Sequence, residues 1–365
     1  MLYKYADLND PHLKENIKHN QLYFNTPNNF NDVFDIYGAF HIGDRDFLDN
    51  LLKKEGVPKN FVQTLTDEQL MIYASMLDRL NATNSKYGIT CFSERNDNII
   101  MWALYANKNQ GVCLGFDLEC DGVSAKDMLN CDANESKFGK FTASLITVAY
   151  NQNRPTIEYR NDYDIHSLLS TKFRDWEHEQ EIRIMLTNQK ENVFPTLVNY
   201  RQEYLKTITF GPMTTIKQFN SFYEFLKGLR REFLYKIARL HPYEYKYDIF
   251  DVGGDNLDQL TNNFRYILKN ANVIFNRYII LQNAAKDLSA RRKREIFQHI
   301  IENIPIHYIH SYFQLFFHSD AAEFLNLEKV ERDEKNKFQV AMFIQMLENE
   351  FRNVRETCSK KRAAS

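Results

Sequence analysis

Glu179 and Glu181 stand two residues apart, and Arg183 follows two further on. They close the run Lys172-Phe173-Arg174-Asp175-Trp176-Glu177-His178-Glu179-Gln180-Glu181-Ile182-Arg183. Residues two apart in a strand point to one face. A strand beginning by Glu179 therefore sets both carboxylates and the guanidinium side by side. A carboxylate so placed stabilises a developing positive charge and can act as a base on an incoming nucleophile. Two like charges in contact push one pKa up unless a cation intervenes. Arg183 or Lys172 can be that cation, or can grip a pyrophosphate. Trp176 and Trp102 can stack on a planar ring. The plainer alternative is a surface ion-pair ladder of Glu179, Glu181 and Arg183 on an exposed sheet face, with both tryptophans as core anchors.

Asn31, Asp32 and Asp35 in Phe30-Asn31-Asp32-Val33-Phe34-Asp35 add further acids, and they are equally ordinary turn residues. Asp32, Asp35, Asp97, Glu179 and Glu181 can in principle gather around Mg²⁺. Ser93 either caps the helix after it or closes a strand, and Asn96-Asp97-Asn98 begins that helix. His307, His310 and His318 have helical spacing, but no Cys or carboxylate joins them at metal-ligand spacing. No metal site is expected. There is no P-loop, G-x-G-x-x-G, H-E-x-x-H or G-x-S-x-G. Common nucleotide triphosphatases, Rossmann dehydrogenases, zincins and α/β-hydrolases therefore lack motif support.

The chain has 365 residues, 46 Lys+Arg against 48 Asp+Glu, and a formal charge of −2. That balance excludes a generally basic nucleic-acid coat or a polybasic membrane binder. The length suggests two domains. Low Gly and Pro with 28 Phe and 21 Tyr argue for an ordered chain. Five cysteines (Cys91, Cys113, Cys120, Cys131 and Cys358) form no C-x-x-C, so neither a disulfide framework nor a zinc knuckle is indicated. No apolar stretch approaches the roughly 20 residues of a membrane span, and Met1–Tyr5 lacks a signal-peptide layout. A cytoplasmic protein without membrane contact is expected.

These residues need elements to position them. Residues 1–250 read as an α+β domain with a mixed or antiparallel sheet. Strands are expected at Leu2–Tyr5, Leu22–Phe24, Tyr87–Phe92, Gly111–Asp117, Leu145–Tyr150, Glu181–Leu186 and Ile208–Phe210. Glu181–Leu186 alternates charged and apolar residues as a half-buried strand does. Helices are expected at Leu13–His19 and Asn98–Ala106. After Asp251-Val252-Gly253-Gly254-Asp255 the pattern becomes helical. Leu257, Leu260, Phe264, Leu268, Ala271, Phe275 and Tyr278 form an apolar stripe. Further helices near 289–302, 307–328 and 334–357 complete a bundle over 256–357, with Asp320 and Glu323 at a helix start and 358–365 a frayed tail. The basic run Arg291-Arg292-Lys293-Arg294 reads as a solvated helix face or a phosphate contact.

Three segments together carry a resemblance. They are Leu2–Tyr5 with Leu22–Asp35, Cys91–Tyr105 running into Gly111–Asp117, and Lys172–Arg183. In this order they resemble the bacterial family filed as domain of unknown function 2971, over roughly residues 1–250. Val33 departs from the Pro usual there. A more distant resemblance, in the opening strand-helix-strand, is to ADP-ribosyltransferase domains. That resemblance implies NAD as cofactor, bound near Tyr3, Lys4 and Tyr5, with Lys4 departing from the usual His or Arg. It further implies a middle-strand contribution from Ser93 or Tyr105, and catalytic Glu179 and Glu181 in a Glu-x-Glu. Trp102, Trp176 and Arg183 would contact the cofactor.

Three functions follow. The first is an ADP-ribosyltransferase-like enzyme that uses NAD to modify a nucleic acid or protein, in a setting of bacterial stress, toxin action or phage defence. The second is a metal-dependent nuclease or phosphodiesterase. The third is a non-enzymatic recognition module in which the C-terminal helices provide an interface, including one for a homo-oligomer.

Overall fold

The computed structural model describes residues 1–32, 34–35, 39–40, 52–53, 56–70, 72–73, 87–118, 125–157, 165–188, 190, 193–253, 257–258, 261–262, 283, 288–306, 345, 347–349 and 351–353. The apolar stripe beyond Leu257, the helices expected over 307–328 and 334–344, Asp320, Glu323, the three clustered histidines, Val33, Cys120, Cys358 and the tail lie outside them.

Fourteen strands are described. They are β1 (Leu2–Ala6), β2 (Gln21–Phe24), β3 (Ala39–Phe40), β4 (Tyr87–Ser93), β5 (Val112–Phe116), β6 (Phe141–Thr147), β7 (Ala149–Asn151), β8 (Thr156–Ile157), β9 (Thr171–Phe173), β10 (Glu181–Asn188), β11 (Thr196–Asn199), β12 (Leu205–Phe210), β13 (Leu234–Leu240) and β14 (Tyr247–Val252). The seven expected strands are all present within a residue or a few of their expected ends. The one expected at Leu145–Tyr150 is two, divided at Val148, with β6 paired to β10 and β7 to β9. A mixed sheet region thus precedes C-terminal helix, of which Ala290–Asn303 is the longest described piece.

Two compact units divide the chain, each discontinuous in sequence. The first comprises Met1–Lys4, Pro11–Met101 and Gly115–Lys206, and the second Tyr5–Asp10, Trp102–Leu114 and Thr207–Ser365.

In the first unit β1, β4, β10 and β6 pair antiparallel in that order. Register fixes the faces. Tyr3 opposes Ser93, Ser93 opposes Glu181, and Cys91 opposes Arg183. These residues share one face, on which Ile89, Ile146 and Met185 pack against Leu168 and Leu169 of the helix Ile165–Leu169. The other face carries Lys4, Thr90, Phe92, Ile182 and Ile184, which alternate with the first set. Phe92 and Phe116 meet edge to face there, their centroids 5.4 Å apart. Both faces of β10 are covered, so the half-buried strand expected from its alternating pattern is in fact buried nearly throughout. Its charged residues are neutralised by partners rather than by water.

In the second unit β12 pairs parallel with β13, and β13 antiparallel with β14. The helix Ile216–Gly228 starts in a capping box. Thr215 Oγ1 accepts the Gln218 N–H, and the Gln218 side chain accepts the Thr215 N–H. It buries Phe219 and Phe222 against Phe210. The β13–β14 turn carries Tyr243 and Tyr245, which are 93% and 98% exposed. Arg291–Arg294 lie in the first turn and a half of Ala290–Asn303, where Arg291 and Arg292 pair with Glu295.

Candidate functional site

Glu179 does not lie on the strand. It ends a 3₁₀ turn, Arg174–Glu179, and Gln180 follows at φ 42°, in the left-handed region, before β10 begins at Glu181. The reversal keeps the two carboxylates together by another route. Lys172 Nζ, from β9, donates to Glu179 Oε2 at 2.5 Å and to Glu181 Oε2 at 3.0 Å. Asp35 Oδ2 lies 3.7 Å from the same ammonium.

Arg183, on the Glu181 face of β10, completes the cluster. Its Nε donates to Glu181 Oε1 at 2.8 Å and Nη1 to the Leu169 carbonyl at 2.9 Å. Nη2 donates to both Asp35 oxygens, at 2.9 and 2.7 Å, and to Glu181 Oε2 at 3.1 Å. The Phe30 ring lies 5.5 Å from the guanidinium carbon, and the Trp176 ring 5.0 Å from the Lys172 nitrogen. Tyr150 Oη accepts the Glu181 N–H at 2.7 Å. The exposed ion-pair ladder is excluded, since Glu179, Glu181 and Arg183 are 3%, 4% and 0% exposed.

Burial pushes the Glu181 carboxyl up, but Arg183 and Lys172 outweigh it and hold the group at about 2. At Asp35 burial wins, and its carboxyl is raised despite Arg183. Burial works against the Lys172 ammonium, yet Glu181, Glu179 and Asp35 keep it charged well above the usual lysine range. Three carboxylates face two cations, so the cluster carries one net negative charge when all five are ionised.

The structure places the remaining candidates as follows. Ser93 closes β4, with Oγ donating to the Glu179 carbonyl at 2.7 Å and accepting the Arg95 N–H. The helix Ile99–Tyr105 is capped instead by Asn98, whose Oδ1 accepts the Ile100 and Met101 N–H groups. Asp32 is a turn residue whose Oδ1 accepts the Phe34 N–H, and Asn31 lies exposed beside it. Tyr3 shares the face of Glu181. Lys4 does not: one residue along β1, it projects to the opposite face and donates to Thr90 Oγ1 and the Cys91 carbonyl. Tyr5, Trp102 and Tyr105 belong to the second unit, where Trp102 is fully buried and meets Tyr5 edge to face at 5.1 Å.

Sequence reasoning did not find Tyr150, Cys91 or the Leu169 carbonyl. Cys91 shares the face of Glu181 and Arg183, and burial pushes its thiol pKa well up. Nor did it find a cleft of about 260 Å³ beside the cluster, lined by Phe34, Asn151–Pro155, Thr171, Lys172 and Phe173. Lys172 is common to the cleft wall and the cluster. Asp97 pairs with Arg95 and so lies outside the cluster. Among the described residues no three His, Cys, Asp or Glu side chains are placed to hold a metal ion.

The class these observations define is a mixed-sheet protein with a buried five-residue charge cluster at a cleft. Its central region, residues 101–184, matches a family described as protein of unknown function (DUF2971). The matched span contains Lys172, Trp176, Glu179, Glu181 and Arg183, while Tyr3, Lys4, Asp35 and Ser93 lie before it. No curated protein and no solved structure matches the chain. Neither these results nor the sheet order ties the fold to the ADP-ribosyltransferases. Among the described residues no helix is long and apolar enough to cross a membrane.

Proposed function

We propose that the chain is an ADP-ribosyltransferase-like enzyme that takes the nicotinamide-ribose end of NAD into the Lys172 cleft and transfers ADP-ribose to a macromolecule. The observation that carries this reading is the cluster of three carboxylates and two cations that shares Lys172 with the cleft wall, and that bears one net negative charge when all five are ionised. Breaking the ribose–nicotinamide bond builds an oxocarbenium-like centre, and a fixed negative potential nearby lowers its energy. Glu181, held at about 2, stays ionised as one of those three carboxylates throughout the neutral range. Phe34 and Phe173 offer exposed aromatic faces at the cleft. A volume of about 260 Å³ is small for a ligand pocket and suits one end of a dinucleotide, leaving the rest on the surface.

One feature favours a second reading, binding without turnover. Both Glu181 oxygens are already engaged by Arg183 and Lys172. Thermal-shift titration with NAD, run beside an assay for released nicotinamide, separates the two. NAD at 100 times its dissociation constant is expected to add about 2.7 kcal/mol. Phe173→Ala, at an exposed residue outside the cluster, is expected to fold and to lose that shift. Nicotinamide release in the presence of candidate targets supports the transferase. A shift without release selects the binding module, and no shift at all sinks both.

A further inference from the structure

The β13–β14 turn is closed by a side chain as well as by backbone. Pro242 has no N–H to give. The next two amides, of Tyr243 and Glu244, both donate to one atom, the His241 Nδ1, at 3.3 and 2.9 Å. The His241 N–H donates to the Lys246 carbonyl at 3.1 Å, and the Lys246 N–H to the Glu244 carbonyl at 2.9 Å. A ring nitrogen that accepts carries no proton. The closed turn therefore requires a neutral ring with its proton on Nε2. We infer that His241 is a pH-sensitive latch: its neutral ring holds the turn closed, and a second proton on the ring loosens the segment that carries Tyr243 and Tyr245.

Protonation puts an N–H where the lone pair was. Two hydrogen bonds are lost together, and a third donor then faces the two amides. The charged groups about the ring pull in both directions. In the turn, Glu244 Oε1 lies 4.0 Å from Nε2 and favours an imidazolium. That carboxylate is exposed, and its other oxygen is held at 2.8 Å by the Lys246 ammonium, which keeps the acid ionised below its usual range. A solvated ion pair shared in this way is weak. Arg239, two residues earlier on β13, opposes a further positive charge, and Asp248 of β14, 4.0 Å from it, offsets part of that opposition. Tyr243 brings its ring edge to face with the imidazole, centroids 6.3 Å apart. Tyr247 of β14, its phenol pushed up by burial, adds no charge. Losing both acceptors is the larger effect. The closed turn binds one proton fewer than the open one, so closure is complete at high pH and is lost as pH falls through the imidazole range. The latch thereby sets how the two tyrosines are presented to solvent.

The test is amide hydrogen–deuterium exchange of the native full-length chain, followed on peptides covering residues 241–246 at about pH 8 and about pH 5.5, on either side of the imidazole range. His241→Phe and His241→Asn are run beside it at each pH, so the pH dependence of exchange itself cancels in the ratios. Phe keeps the ring and removes the acceptor. Asn keeps an acceptor that does not titrate. Peptides of β12, in the same unit, report any general opening. At the higher pH the Phe variant is expected to exchange several-fold faster than the native chain. At the lower pH the native chain is expected to match it, while the Asn variant keeps the protection it had and β12 does not change. A native-to-Phe ratio that is the same at both pH values, or that shows more protection at the lower one, overturns the latch. So does a Phe variant that exchanges no faster at the higher pH, or an Asn variant that loses protection in step with the native chain. If Asn holds the turn at neither pH, the native-to-Phe ratio alone decides.

Discussion

Arg183 makes five hydrogen bonds from a fully buried position, three of them to Glu181 or Asp35 through the same Nη2. Its replacement by Met strands two buried carboxylates. Such a loss costs about 3–5 kcal/mol, and urea denaturation should register it as a lower midpoint. Lys in its place should recover little, because one ammonium cannot reach Glu181, Asp35 and the Leu169 carbonyl together. The two acids impose opposite pH dependences. Glu181 has a lowered folded pKa, so its contribution is full above the unfolded value of 4.5 and is lost as pH falls toward 2. That contribution is on the order of 3 kcal/mol. Asp35 has a raised folded pKa, so its folded form gains stability as pH falls and loses it as pH rises through that pKa. Glu181→Gln should flatten the acid limb of the stability curve between pH 4.5 and 2, while Asp35→Asn should steepen it. A Glu181→Gln protein that keeps the full acid loss would show that the charge resides elsewhere. The Glu181–Arg183 pairing was legible from spacing alone. The Asp35–Arg183 pairing was not, because 148 residues separate the two and only the fold closes that distance.

At the scale of elements, period-two alternation was enough to find β10, and Asn98 was readable as a helix start. Two things depended on information that alternation does not carry. One was the path of Glu179, which the left-handed Gln180 sets off the strand just before β10 begins at Glu181. The other was register, since a one-residue step along β1 separates Tyr3 from Lys4 by the thickness of the sheet. Register also explains Gly88 on β4. A Cβ there would lie 2.2 Å from the Phe194 ring, so the ring occupies the space a side chain would need. Gly88→Ala should cost about 1–3 kcal/mol. Adding Phe194→Ala should give a double variant more stable than the sum of the single losses predicts, because the second change removes the clash. Strict additivity in chemical denaturation would mean that the ring moves aside freely.

For the molecule as a whole, the patterning of apolar residues correctly indicated a mixed sheet followed by C-terminal helix. It carried no sign that each compact unit is assembled from separated stretches, because a strand shared in sequence by two units looks like any other. The chain's two tryptophans report on them separately. Trp176 is half-buried in the first unit and Trp102 fully buried in the second. In single-tryptophan variants, Trp102 should emit at shorter wavelength and resist acrylamide, while Trp176 should be the more readily quenched. Equal quenching would contradict the burial described. The β13–β14 turn has a practical corollary. His241 N–H bonds the Lys246 carbonyl at 3.1 Å across its base, and between them Tyr243 and Tyr245 stand almost wholly in solvent. Among the described residues these are the most exposed targets for a protease selective for aromatic side chains, and an epitope or fluorophore inserted between those tyrosines would tag the chain without disturbing its packed core.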